Sequence, residues 1–213
     1  MKLPCTTVFT LAITTASFGE TYTVCSNGCD YTNIQNAILA SYHGDTISIG
    51  AGTYNEYDIN TNGKAITIQG TFNADGTLAT TIDAQQNGSV FVFNSGETSD
   101  TKIKDLIITG GDNTWGGGIF CDDGSPTIYR CKISNNQADY GGGIYFDNEN
   151  AGTVEDCRIE MNDAGQGSGV YIEDSSTPML RNCDIVNNVT SNGVHIAYSS
   201  NPTINTCRIS MNS

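Results

Sequence analysis

Positive charge is scarce in this chain. Nine Lys and Arg stand against 23 Asp and Glu, giving a formal charge of −14. Phosphate backbones are held by cationic contacts, so this balance excludes nucleic acid as a partner. The same sign weighs against docking on an anionic bilayer. No apolar run is long enough to cross hydrocarbon as a helix, which excludes direct membrane insertion of that kind. Helical periodicity is almost missing, so a helical bundle is excluded as well. What the chain has instead is 24 Gly, with abundant Asn, Ser and Thr. That is the composition of a turn-rich β protein.

The first residues read as an export signal over 1–19. Lys2 precedes the apolar run "VFTLAITTASF", and Ser17 with Gly19 offers a small-residue cleavage site. A buried first strand is the other reading of that run. Export places the protein outside the cell or on its outer surface, where Cys25 and Cys29 in "CSNGC" are expected to form a local disulfide. A metal site is the alternative for that pair.

The other markers keep time. Cys131, Cys157, Cys183 and Cys207 are spaced by 26, 26 and 24 residues. Gly118, Gly143, Gly169 and Gly193 follow at 25, 26 and 24, and Asn136, Asn162, Asn188 and Asn212 close each unit. Each unit shows two short strand patterns, Gly-Ile-x-apolar and apolar-x-x-Cys-x-Ile. A unit this small cannot bury its own apolar face, so units must stack. Stacking turns sequence columns into spatial ones: Ile119, Ile144, Val170 and Val194 in one, Ile133, Ile159, Ile185 and Ile209 in another. The cysteine column reads as small buried hydrophobes with free thiols, and bridges between rungs are the alternative. The Asn column reads as left-handed turn residues and stacked amides. That burial argues against glycosylation of the sequon at Asn188 and leaves Asn87 as the better acceptor.

Upstream, "YTNIQNAILASY" is the one helical segment, with Thr32 and Gln35 placed as a capping box. "YTNIQNAILASYHGDTISIGAGTYNE" followed by "KAITIQG" resembles the start of right-handed parallel β-helix proteins of the pectate-lyase-like superfamily. The later "GGGIY" units resemble repeats of bacterial surface β-helix proteins, the chlamydial polymorphic membrane proteins among them. The glycine motif occurs twice in full, and Phe-x-x-Asn once, at Phe91 to Asn94. The resemblance implies an all-β right-handed parallel solenoid: a cap with a short helix over 20–45, then the β-helix over 46–213. With no terminal cap in sight after Ser213, further rungs or an anchor are expected to follow.

Two outward faces differ. Beside the cysteines, Lys132, Arg158, Asp184 and Arg208 form a column of mostly alternating sign. Arg130 falls beside Asp156, and Glu155 beside Arg181. This is a face built for stacking. On the other face, Phe120, Tyr145, Tyr171 and His195 form an outward column of rings. Asp122, Asp147 and Glu173 form the next, without a basic partner. Like charges one rung apart repel, and Ca2+ is the cofactor that such oxygen ligands fit. Rings beside acids also suit sugars, so the first expectation is a surface or extracellular adhesin whose partner is a polysaccharide or cell-surface glycan. An ordinary stacked surface, and hence a structural spacer, is the plain alternative. A polysaccharide lyase or hydrolase is the third. Against it, Asp122 and Asp123 match only the Asp-Asp motif that the resemblance to polygalacturonases implies. His195 lacks the glycine that should follow it, and Arg208-Ile209-Ser210 lacks the lysine.

Overall fold

The computed structural model describes residues 19–213, so the export signal expected over 1–19 lies, apart from Gly19, outside the described residues. The chain winds as a parallel β-solenoid of four sheets. The first sheet has eight strands, Thr21–Val24, Thr46–Ile49, Thr67–Gln69, Lys102–Lys104, Thr127–Tyr129, Thr153–Glu155, Met179–Arg181 and Thr203–Asn205. The second has seven, running from Gly52–Tyr54 to Arg208–Ser210, and the third has six, from Ile59–Asn60 to Val194–Ile196. The fourth is a short strip of three strands, Asp112–Trp115, Gln137–Tyr140 and Asp163–Gln166. Every pairing between these strands is parallel, and like falls on like. Ile119 aligns with Ile144, Val170 and Val194, and Ile133 with Ile159, Ile185 and Ile209. Most of these side chains are fully buried, each contributing about 1.5–3 kcal/mol of burial free energy.

The pattern apolar-x-x-Cys-x-Ile is not one strand, as expected from sequence, but two. Thr127–Tyr129 belongs to the first sheet and Lys132–Ser134 to the second. Between them Arg130 takes a left-handed conformation, as do Asp105, Asp156, Asn182 and Thr206 at the equivalent corners (φ 49° to 62°). The cysteine follows the corner and points inward. Cys131, Cys157 and Cys183 are buried with free thiols, and Cys131 N–H donates to Cys157 Sγ at 3.4 Å. A second left-handed corner follows the second sheet. Here the sequence reading was one residue off, because Asn135, Met161, Asn187 and Met211 carry the positive φ, not the Asn column itself.

The column Asn136, Asn162, Asn188 and Asn212 forms an amide ladder instead. Asn136 Nδ2 donates to Asn162 Oδ1 at 3.0 Å, Asn162 to Asn188 at 3.1 Å, and Asn188 to Asn212 at 2.9 Å. Each amide also donates to a core carbonyl, Asn162 to that of Ile133 at 3.0 Å. The oxygens of Asn162, Asn188 and Asn212 also accept the N–H of the preceding rung's Asn, and that of Asn136 accepts the N–H of Gly111. With Asn188 fully buried there, its sequon offers no acceptor, while Asn87 is exposed at a turn. The ladder also explains the glycines. A Cβ on Gly143 would press on the Gly169 carbonyl and stand 2.9 Å from Ile159 Cγ2 and 3.1 Å from Asn162 Nδ2.

At the N-terminal side the helix Ile34–Ala40 buries Ile34, Ala37 and Ile38 against the first coils. Its cap differs from the expected Thr32 and Gln35 box. Asn33 is the N-cap and accepts from Asn36 N–H at 2.8 Å. Glu56 accepts from Ile34 and Gln35 N–H, while the Gln35 side chain pairs with the backbone of Asn60. Lys64 donates to the carbonyls of Ile38, Leu39 and Ser41 at the other end. Cys25 and Cys29 are bridged.

On the face of the first two sheets the charges pair as a stacking surface should. Asp184 holds Arg158 and Arg208, and Glu155 holds Arg181. Arg130, however, pairs with Asp105 on the preceding rung, not with Asp156, and its guanidinium lies over Tyr129 and Phe72. Glu160, which the sequence reading passed over, is buried between Lys132 and Arg158. Hydrogen bonds from Arg158 hold its carboxyl below the usual range.

Two outcomes are expected in denaturant unfolding. Asn162→Ala leaves the Ile133 carbonyl and the amide edge of Asn136 without partners, a loss of about 1–3 kcal/mol. Met161→Asn removes a left-handed residue without local compensation, at an exposed position, and gains up to about 1 kcal/mol. An unchanged midpoint in both variants would mean that the ladder and its corner do not govern stability.

Candidate functional site

The third sheet carries the ring column. Its strands Ile119–Asp122, Ile144–Asp147, Val170–Ile172 and Val194–Ile196 alternate, so one set of side chains fills the core and the other points outward. Phe120, Tyr145, Tyr171 and His195 are register partners, as are Asp122 and Asp147. The rings stack. Tyr145 and Tyr171 lie 5.6 Å apart and 4° from parallel, and Tyr171 and His195 lie 4.9 Å apart and 3° from parallel. Phe120 is tilted by 36° against Tyr145 at 5.6 Å.

These rings do not face open water, as the sequence led us to expect. Tyr145 is only 2% exposed and Tyr171 only 3%. Stacked neighbours cover them above and below, and the fourth sheet covers Tyr171 from the side, where Tyr140 meets it edge-on at 5.4 Å. The acids are also partnered, not by cations but by phenols and the Asn148 amide. Tyr145 Oη lies 3.3 Å from Asp147 Oδ2 and within hydrogen-bond reach of Glu173 Oε1. One phenolic proton thus serves two carboxylates. Tyr171 Oη donates to Glu173 Oε2 at 3.2 Å. Asp122 accepts from the Asn148 amide, and Asp147 Oδ1 accepts from Asn148 N–H at 2.8 Å. Glu173 itself lies just past the strand, its N–H donating to the Phe146 carbonyl at 2.9 Å.

Burial and the Glu173 hydrogen bond push the Tyr145 phenol far up. Burial, followed by the Glu173 charge, pushes that of Tyr171 up to about 12. The Asp147 carboxyl is raised too, first by burial and then by the charges of Glu173 and Asp122. No group of three or more His, Cys, Asp or Glu converges on a metal position among the described residues. Of the expected Ca2+ row, both oxygens of Asp147 and Glu173 and Oδ1 of Asp122 accept from protein donors.

Two hollows flank the column. An acidic one of about 610 Å3 is lined by Asn94, Asp122, Asp123, Asn148, Glu149 and Asp174. Its turn residues Asp123, Asn148, Glu149 and Asp174 are left-handed, so Asp and Asn have a conformational reason to be there. The other hollow, about 340 Å3, is lined by Trp115, Tyr140, Gln166, Tyr171, Glu173, His195, Ala197 and Tyr198. Sequence reasoning missed Trp115, Tyr140 and Tyr198. The signal for the first two was their spacing of 25, since Trp115, Tyr140 and Gln166 are register partners. A larger hollow of about 710 Å3 lies on the opposite face, under the turn around Phe72 and Leu78. Its cations Arg130, Lys132 and Arg158 are each already neutralised by a carboxylate.

The family model described as "Right handed beta helix region" matches residues 14–209. Among solved structures, a pectin methylesterase from Aspergillus niger in deglycosylated form is 22% identical, with a TM-score of 0.49 over 84% of this chain and 58% of that one. The chain thus spans less than two thirds of that enzyme. The same esterase in penultimately deglycosylated form is 18% identical, with a TM-score of 0.47 over 94% of this chain and 87% of that one. No curated protein matches.

The raised Asp147 pKa sets the sign of a pH effect. A carboxyl held more tightly to its proton in the folded state costs stability when ionised. The cost is absent below the unfolded pKa and complete above the folded one. Asp147→Asn is therefore expected to be more stable than the parent at pH 7. The side chain is partly solvated, which limits the gain to a few tenths of a kcal/mol. Melting curves of the two proteins should converge as the pH falls through the range below the usual carboxylate pKa. A gain that persists at pH 2–3 would assign the effect to something other than charge.

Proposed function

The chain belongs to the right-handed β-helix family, and on that premise we propose that it is a glycan-binding solenoid of the extracellular space or cell surface. One observation carries this reading. In the hollow beside the ring column, Trp115, Tyr140, Tyr171 and Tyr198 converge with Glu173, Gln166 and His195. Sugar rings present apolar C–H faces and a rim of hydroxyls, and they need flat apolar surface next to hydrogen-bonding groups. Trp115 is 47% exposed and Tyr198 is 72% exposed, so both offer ring faces to a ligand. Glu173, Gln166 and His195 supply polar atoms at the edge. Exposed aromatics gathered at one hollow form the kind of patch that marks a binding site. The Cys25–Cys29 bridge supports export. No helix among the described residues is long and apolar enough to span a membrane.

The charge favours neutral or cationic glycans. A polyanion would meet Glu173, the acidic hollow and a chain of net charge −14. Calcium, which the acidic row called to mind, would act by bridging such a polyanion to the protein.

Retention on a panel of polysaccharides, with and without Ca2+, tests this reading. Binding to at least one neutral or amino glycan is expected, and Trp115→Ala should weaken it about tenfold. Phe72→Ala, on the opposite face, should leave it unchanged. Acidic glycans should bind only with Ca2+. Release of reducing or unsaturated ends during incubation would favour the lyase or hydrolase instead, and no retention on any glycan would leave only the spacer.

A further inference from the structure

Resting on that reading of the hollow, we propose that its ligand carries a quaternary ammonium group, as a choline-substituted glycan does. The walls are aromatic on several sides. Tyr140 and Tyr171 meet edge to face at 5.4 Å, His195 lies flat on Tyr171 at 4.9 Å, and Trp115 and Tyr198 are the exposed rings. Ring faces are the negative side of an aromatic quadrupole; those of Tyr171 are taken by Tyr145 and His195, so the exposed rings of Trp115 and Tyr198 are the ones that attract a cation. The one charged side chain lining the hollow is a carboxylate, Glu173.

The state of that carboxylate selects the kind of cation. Both Glu173 oxygens already accept phenolic protons, from Tyr145 and Tyr171. The group supplies charge more readily than fresh hydrogen-bond acceptors. A primary ammonium brings three N–H donors and a tight hydration shell, and it would lose part of both here. A quaternary ammonium has no donors, is weakly hydrated and presents methyl groups that pack on rings. A hollow of about 340 Å3 also suits a small headgroup better than a run of sugar rings. The −14 charge of the chain draws a cation to the surface.

The chain has a single tryptophan, Trp115, and it lines the hollow. Its fluorescence therefore reports this site alone. Titration with choline chloride should give a saturable change that sodium chloride at equal ionic strength does not reproduce. The uncharged isostere 3,3-dimethylbutan-1-ol should bind about tenfold more weakly, as should protonated glucosamine. Glu173→Gln and Tyr198→Ala should each weaken choline binding by a similar factor. Tyr198 is exposed, so its variant tests the site without threatening the fold. Choline should also displace the protein from any glycan it retains. A response that is not saturable, or an isostere as good as choline, overturns the ammonium site. Glycan retention that choline cannot displace overturns it too, while leaving the wider glycan reading in place. Choline binding without retention on any glycan supports the ammonium site and removes that wider reading.

Discussion

Parallel strands stacked about 4.8 Å apart with no slip in register are the constraint on which the rest of this molecule depends. Each coil must place its side chains directly over those of the coil before. An isoleucine over an isoleucine gains packing at no cost. An asparagine over an asparagine gains a hydrogen bond to its neighbour, and the buried amides of the ladder satisfy one another so completely that no buried side-chain N or O lacks a partner among the described residues. A carboxylate over a carboxylate gains nothing and repels. The same rule that builds the core therefore creates an electrostatic conflict at Asp122, Asp147 and Glu173. Tyrosine resolves it at Asp147 and Glu173, and the Asn148 amide at Asp122. Because Tyr145 sits two residues before Asp147 in the same strand, its phenol reaches Asp147 on its own rung and Glu173 on the next.

How much of this was legible follows from how replaceable each residue is. The glycine column was visible because nothing larger fits between Gly143 and Gly169 beneath the amide ladder. The asparagine and isoleucine columns were visible for similar reasons. The corners were not. Asp105, Arg130, Asp156, Asn182 and Thr206 share one backbone conformation but no side-chain chemistry. Two strands joined through such a corner read as one. Salt-bridge partners were legible only to within a rung. Arg130 had carboxylates within reach on either side, and the rings of Phe72 and Tyr129 accompany its pairing with Asp105.

The burial of the ring column was illegible for a different reason. Alternation within a strand tells which side chains leave the core, and it was right for Phe120, Tyr145, Tyr171 and His195. What covers them afterwards comes from elsewhere in the coil. The fourth sheet, "DNTW", "QADY" and "DAGQ", is too polar to announce itself as strand. Yet it lies beside the rings and changes them from an open platform into one wall of a hollow.

That arrangement locates the site in the architecture. A strict repeat yields a uniform surface, and concavity needs a break in the repetition. The third sheet continues through Val194–Ile196, whereas the fourth stops at Asp163–Gln166. Where one sheet outlasts the other, His195 lies beyond the lateral cover that Tyr171 keeps, and Trp115, Tyr140 and Gln166 descend toward them as a tapering column. His195 stands where the two preceding coils carry Tyr145 and Tyr171, and Ala197 where they carry Asp147 and Glu173, and both changes fall at this same step. The column thus changes its chemistry where its covering ends, and the five rings around the hollow come from four successive coils, which only register stacking could bring together.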